Sequence, residues 1–477
     1  MKSAVFGPRR VAPLVQRTRQ RSLSELPEVF AHLVPEALIQ TVGQGEDGRL
    51  RRYTPLVTFW AFLSQAFNPE ASCRETVRRI QAAQTWATGS CDLSSDSSGY
   101  CQARQRLPDT LLPQVHAQVD QILRQTPAPL SARWCGRTVK VADGTCLSMP
   151  DTPENQAEYP QSSAQKPALG FPVLRLVASF DLASGAVEHW REGSLYDSEK
   201  ALFITLLDTF LAGEVVLADR LFCSYVNIAL LQQRQVDTVF RVLGRRRADL
   251  RCGQRIGRNE RRVTWHKGYQ RPQWMPLEQW ASLPSTLTLR LVRVQVAVRG
   301  FRTQTITLVT TLLDPLTYTA DDLAALYFRR WRCELFLRDL KIALHMDILR
   351  CQSPSMVRKE VWMHLIAYNL IRWLILQAAQ LHPPLEPARI SFKGTVDALR
   401  QWLPLLRAAA SQPRTFPAVF ERFLALLAED LVPLRPNRSE PRARKRRPKN
   451  YHLLTKPRHQ VGNLLHRNRR TRGRWRG

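Results

Sequence analysis

The sequence predicts a mixed α/β protein with a helical N-terminal domain, and three observations point to it. Residues 22–123 place apolar side chains at helical spacing, strands and helices alternate from Arg137 onward, and two aspartates stand at the ends of short apolar runs. With 477 residues and 44% hydrophobic content, the chain is long enough for several domains with sizeable cores.

Taken in order, residues 1–21 form a basic arm that lacks the continuous apolar run of a secretory signal. A helical domain over 22–130 follows. Thr54-Pro55 reads as a cap and first turn before Val57, Phe59, Trp60 and Leu63. The Ser/Asp/Gly-rich stretch Cys91 to Gly99 reads as a loop before a helix carrying Tyr100, Arg104 and Arg106.

Over 131–242 the pattern predicts the first part of a mixed sheet. A strand from Val139 ends at Asp143-Gly144, and a hairpin turns about Ala183-Ser184-Gly185. Next come a helix over 198–211, a strand over 214–218 that ends at Asp219, a helix over 222–233 and a strand over 236–242. Residues 243–318 look like a β-rich insertion of its own, with paired runs about Arg299-Gly300. The second part of the core, 319–382, opens with a long helix to about Leu344. Thr319 and Asp322 resemble a capping box at its start. A helical C-terminal region, 383–434, and a basic tail, 435–477, complete the chain.

The 70 Lys+Arg against 40 Asp+Glu leave a net charge of +30, which points to a polyanionic partner. From Arg435 to Gly477 there are 16 Lys/Arg and a single acid, Glu440, so half the surplus sits in the tail. Such a tail supplies salt-sensitive affinity without sequence preference. The nine cysteines form no CxxC pair, which suits reduced thiols in a cytoplasm. The stretch Met363 to Leu381 carries Asn369, Arg372 and Gln377, so it reads as a buried helix and no membrane is expected.

The long helix carries the chemistry. At about 100° per residue, Tyr327, Arg330, Glu334 and Lys341 fall at roughly 0°, 300°, 340° and 320°, on one narrow stripe. Charged residues on a helix are ordinarily a solvated face, but these four at fixed gaps should arise by chance in roughly one chain in several hundred. Arg330 and Lys341 suit phosphate oxygens, which would leave Glu334 free to hold a metal. Asp143 and Asp219, at strand ends, would complete a set of three carboxylates. Hard ions such as Mg²⁺ take oxygen ligands, and two of them can serve phosphodiester displacement.

The spacing Y-x2-R-x3-E-x6-K resembles, without a mismatch, the signature of the YREK group of DDE transposases, the insertion-sequence-four family. Asp143-Gly144-Thr145 and Asp219-Arg220 are similar to that family's first and second catalytic aspartates in context. Arg241 fits an arginine on the next strand. Together the matches span roughly Arg137 to Arg350. A departure is Leu221-Phe222-Cys223-Ser224 after Asp219-Arg220, where well-known members carry further acids.

The resemblance implies an RNase H-like catalytic core, a mixed five-stranded sheet with helices, interrupted by the β-rich insertion. It implies Asp143, Asp219 and Glu334 as catalytic ligands of two Mg²⁺ ions, with Mn²⁺ as a substitute. It implies DNA contacts from Tyr327, Arg330, Trp331, Lys341, Arg220 and Arg241, with Trp265, Trp274 and Trp280 as candidates to hold a flipped base. The function expected is cut-and-paste transposition in a bacterial cytoplasm, nucleoid-associated, with terminal inverted repeats and target DNA as partners and a homodimer in the synaptic complex. A nuclease without strand transfer and a catalytically dead DNA binder are the alternatives. Joined products distinguish transposition from the first, and any activity lost on Asp143→Ala excludes the second.

Overall fold

The computed structural model describes residues 26–43, 52–68, 70–126, 133–242, 250–296, 304–410, 412 and 414–433. The basic arm and the basic tail read from the sequence lie outside these residues. The N-terminal region comprises α1 (Leu26–Phe30), α2 (Glu36–Gly43), α3 (Pro55–Phe67), α4 (Cys73–Thr88), α5 (Ser98–Arg106) and α6 (Leu111–Gln125). Helix α3 begins where the Thr-Pro pair predicts, with Thr54 Oγ1 accepting from the Val57 N–H at 3.3 Å. Its apolar residues run all round it, and nearly all are buried, so it forms the centre of this region.

The core follows as β1 (Val139–Ser148), α7 (Pro153–Glu158), β2 (Val173–Asp181), β3 (Val187–Ser194), α8 (Glu199–Ile204), β4 (Val215–Ala218), α9 (Tyr225–Gln233) and β5 (Asp237–Arg241). Then come β6 (Gln254–Gly257), β7 (Glu260–His266), α10 (Leu277–Ser282), β8 (Thr286–Val296) and β9 (Gln304–Thr310). The chain closes with α11 (Ala320–Arg329), α12 (Trp331–Arg338), a π-helical turn (Asp339–Ala343), α13 (Pro354–Leu381), α14 (Phe392–Ala410) and α15 (Phe416–Glu429).

Among the described residues the strands form one nine-stranded sheet, ordered β3-β2-β1-β4-β5-β9-β8-β7-β6. Strands β1, β4 and β5 run parallel to one another; β2 and β3 are antiparallel neighbours on one side and β9 is antiparallel on the other. Alternation sorts the side chains into two cores. Val139, Val141, Val215, Leu217 and Val239 face α11 to α13, whereas Val216, Ala218 and Phe240 face α8 and α9.

Three expectations are corrected. Strand β1 does not end at Asp143-Gly144 but continues to Ser148, because β2 pairs with it from Lys140↔Asp181 to Ser148↔Val173. Its pairing with β4 does stop at Val141↔Leu217, so from Asp143 onward one edge of β1 is open. The helix expected over 198–211 is the shorter α8 followed by a 3₁₀ turn, Leu207–Thr209. The helix expected without a break from Thr319 to Leu344 is three consecutive segments, with α11 ending before Arg330 and the π-helical turn replacing its last part. The insertion's strands also extend the core sheet, since β9 hydrogen-bonds to β5 through Val239↔Thr310 and so covers an edge that would otherwise present unpaired backbone groups.

Helix α13 is buried along most of its length. Several of its buried polar residues are tolerated because they find partners, whereas His364 Nδ1 is buried without a hydrogen bond among the described residues. Asn369 bridges to β3, accepting from the Val187 N–H at 2.9 Å and donating to its carbonyl at 2.8 Å. Lys359 donates to the carbonyls of Gln105 and Leu107, which docks the N-terminal helices onto the core. Among the described residues no helix is long and apolar enough to cross a membrane.

Candidate active site

The strand register builds the site. Val141, Leu217 and Val239 lie side by side on three neighbouring parallel strands. Because side chains two residues apart share a face, the next row on that face is Asp143, Asp219 and Arg241. Adjacent strands are about 5 Å apart, so the two aspartates emerge at the same height on neighbouring backbones. The face they occupy is the one that α11 and α12 cover.

Each aspartate is pinned through one oxygen by a backbone N–H one or two residues on. Asp143 Oδ1 accepts from the Gly144 N–H at 2.8 Å, and Asp219 Oδ1 accepts from the Leu221 N–H at 2.6 Å. Gly144 has a steric role as well. A Cβ there would lie 2.8 Å from Cδ of Glu199, so a side chain at this position would displace the Glu199 carboxylate.

From the helix side, Arg330 reaches across. Its Nη1 lies 3.6 Å from Asp143 Oδ2 and its Nη2 lies 3.3 Å from Glu334 Oε1. Glu334 is therefore ion-paired to Arg330, which corrects the expectation that it stands free. Lys341 is engaged too, since its Nζ donates to Thr145 Oγ1 at 3.1 Å and to the Cys146 carbonyl at 3.2 Å. These bonds clip the π-helical turn to the exposed half of β1. Among the described residues, no three His, Cys, Asp or Glu side chains are grouped closely enough to hold a metal ion as they stand.

Electrostatics nevertheless joins the acids. Burial pushes the Asp143 carboxyl up to about 6; the Gly144 N–H and Arg330 oppose the rise, and Asp219 and Glu334 add to it. Burial likewise raises the Tyr327 phenol, with the nearby Asp219 acting in the same direction against Arg330 and Arg241. Beside the acids, Asp219, Arg220, Arg241, Tyr327 and Arg330 line an open cleft. The Arg330 guanidinium sits 5.8 Å from the Tyr327 ring centre. Three arginines and a phenol in one cleft suit an anion of phosphate type.

The remaining sequence candidates fall in different places. Trp331 is 47% exposed, next to Arg330 at the start of α12. Trp265 is buried in the insertion's core, Trp274 is 45% exposed, and Trp280 packs against Lys267 at 5.2 Å. A residue not singled out as functional is Arg372, read only as a polar interruption of a buried helix. It is buried, bonds Asp339 at 3.0 Å and Tyr368 Oη at 2.9 Å, and so anchors the first residue of the π-helical turn that carries Lys341. The only signal in the sequence was its cost, a guanidinium inside an apolar run.

Residues 134–370, which include Asp143, Asp219 and Glu334, match the Transposase DDE domain family. The chain is 26% identical over 429 residues to transposase InsG for insertion sequence element IS4 of Escherichia coli (strain K12), a match covering 88% of this chain and 92% of that protein. It is also 26% identical over 217 residues to the putative transposase InsZ of the same strain, covering 43% of this chain and 68% of that one. Among solved structures it is similar to a piggyBac transposase synaptic complex with hairpin DNA, with a TM-score of 0.42, 10% identity, and coverage of 86% of this chain and 87% of that one. The chain belongs to the DDE transposases, enzymes that cleave DNA and transfer its strands, within the insertion-sequence-four group.

Proposed function

We propose that the protein carries out cut-and-paste transposition of an insertion sequence, with Asp143, Asp219 and Glu334 as the ligands of two Mg²⁺ ions. DDE transposases work with divalent metal ions, and the donor set here fits such a group. All the candidate ligands are carboxylate oxygens, the type that hard divalent cations take. The observation that carries the reading is the in-register row of Asp143 and Asp219, with Arg330 linking Asp143 to Glu334. Strand order β3-β2-β1-β4-β5 with helices on both faces supports an RNase H-like core.

Held by Asp143, Asp219 and Glu334, such ions would supply activation of the attacking oxygen and stabilisation of the leaving one in phosphodiester displacement, with Mn²⁺ as a substitute for Mg²⁺. The chain's own residues do the rest. Arg330, Arg220, Arg241 and Tyr327 line the cleft and take the phosphates beside the scissile bond. Lys341, clipped to Thr145, holds a fixed positive charge at the open edge of β1. Trp331 offers an exposed ring for an unstacked base. The N-terminal helices and the β-rich insertion bind the terminal inverted repeats, and two chains bring two ends together. The +30 net charge supports DNA as the partner throughout, in a nucleoid-associated enzyme.

The test supplies the full chain with Mg²⁺, DNA ends bearing the element's inverted repeat and a free 3′-OH, and a target plasmid. Joined products that disappear in Asp143→Ala support the proposal. Nicks without joining would replace it with a nuclease.

A further inference from the structure

The cations around the acids are held in two different ways. Among the described residues, Arg330 is the one cation ion-paired to Asp143 or Glu334, through Nη1 at 3.6 Å and Nη2 at 3.3 Å respectively. The planar guanidinium thus spans from sheet to helix as a fork. Asp143 Oδ1 accepts from the Gly144 N–H, so with Arg330 at Oδ2 both oxygens of this carboxylate are engaged. Lys341 is held elsewhere, on Thr145 Oγ1 and the Cys146 carbonyl. Among the described residues no three acidic side chains stand close enough together to hold an ion, so the acids have to converge for one to bind.

We propose that Arg330 is a latch that closes Asp143 and Glu334 to divalent ions in the DNA-free protein and releases them when a DNA phosphate enters the cleft, so that metal and DNA bind cooperatively. This role rests on the reading of Asp143, Asp219 and Glu334 as the metal site and adds the regulation of that site. The backbone at Arg330 is fixed. Its N–H donates to the Tyr327 carbonyl at 3.1 Å, and its carbonyl accepts from the Cys333 N–H at 2.9 Å, at the junction of α11 and α12. The side chain, by contrast, borders the open cleft that it lines with Asp219, Arg220, Arg241 and Tyr327. Rotation about its side-chain bonds is enough to carry the guanidinium off the acids and into the cleft.

The latch works by exchange of partners. A guanidinium and a divalent cation compete for the same carboxylate oxygens, and like charges a few ångströms apart repel. Without DNA, opening the latch leaves a largely buried guanidinium with no carboxylate, and metal affinity is reduced accordingly. With DNA, a phosphate takes the guanidinium in a bidentate pair and that penalty disappears. Linkage makes the effect reciprocal, so the ion tightens DNA by the same factor as DNA tightens the ion. The consequence for the enzyme is that its acids are loaded where DNA is bound, which confines phosphodiester cleavage to engaged ends.

The test titrates Mn²⁺ into the full chain, alone and with a saturating pre-cleaved DNA end, and reads protein-bound ion by electron paramagnetic resonance after subtracting ions bound by the DNA alone. For the parent protein, DNA should tighten Mn²⁺ by at least about fivefold, the low end of ordinary coupling between two ligands. Arg330→Gln should raise the affinity of the DNA-free protein by a similar factor and bring the ratio with and without DNA toward one. Arg241→Gln removes a positive charge from the same cleft without removing an ion pair to the acids, and should move the DNA-free affinity distinctly less. Equal Mn²⁺ affinity with and without DNA in the parent protein, an unchanged DNA-free affinity in Arg330→Gln, or an equal gain in Arg241→Gln would each overturn the latch alone. Absence of bound Mn²⁺ even on DNA would overturn the metal-site reading and the latch with it.

Discussion

The guanidinium of Arg330 stands 3.6 Å from the carboxylate of Asp143, and from the same position it reaches Glu334 at 3.3 Å. One cation thus serves an acid on the sheet and an acid on the helix, in the place where the proposed metal ions have to bind. Arg330→Gln should leave the two carboxylates without a counterion and destabilise the metal-free protein by about 2 kcal/mol at neutral pH. Added Ca²⁺ or Mg²⁺ should then raise the melting temperature more in the variant than in the parent protein. An equal shift in both would mean that Arg330 does not compete for the acids.

The raised carboxyl of Asp143 predicts an unusual sign. A carboxyl pushed up to about 6, foremost by burial, favours its protonated form in the folded state. Its contribution to stability is therefore complete below its ordinary value of 3.8 and is lost as pH rises through about 6. Asp143→Asn should abolish DNA cleavage yet stabilise the metal-free protein at pH 7, by at most about 3 kcal/mol, with the gain vanishing near pH 4. Thermal melts of both proteins at the two pH values check this.

Arg372 is buried against Asp339, and its guanidinium lies over Phe336, Tyr368 and Phe392 at 4.8 to 4.9 Å. Arg372→Met should cost about 3–5 kcal/mol, because it leaves the buried Asp339 carboxylate with only the largely exposed Arg338, at 3.4 Å, as a counterion. Adding Asp339→Asn should recover part of the loss, since the buried carboxylate charge is then removed. Urea unfolding of the single and double variants measures the difference, and a double variant no better than the single one would rule out the stranded charge as the cause.

Trp331, half-exposed at the start of α12, separates stability from DNA handling. Trp331→Ala should change folding stability by no more than about 0.5 kcal/mol. Its affinity for DNA with unpaired bases should fall by about 1–3 kcal/mol, as for other stacking residues. Fluorescence anisotropy on unpaired and fully paired ends gives the comparison, and equal losses on both would argue against stacking.

Several of these contacts were legible in the sequence and others were not, for identifiable reasons. Asp219 was readable because β4 is a short apolar run that stops where pairing stops. Asp143 stands where the sequence expects a strand to end, but the strand itself does not end there. Its strand continues to Ser148, and what ends there is the pairing with β4, which depends on a distant segment. The stripe of Tyr327, Arg330, Glu334 and Lys341 follows from helical period, yet the break at Arg330 and the π-helical turn carry no local signature. Arg330 as the partner of Asp143, β9 as the partner of β5, and Asp339 as the partner of Arg372 are all contacts set by tertiary register. Periodicity within one segment contains no information about them.

The most direct test counts metal ions. Mn²⁺ titrated into the protein on a DNA end, followed by electron paramagnetic resonance, should show two bound ions per chain for the parent protein. Asp219→Asn and Glu334→Gln should each lose at least one of them, and cleavage with it. Unchanged stoichiometry and affinity in both variants would contradict the assignment of these carboxylates as the metal site.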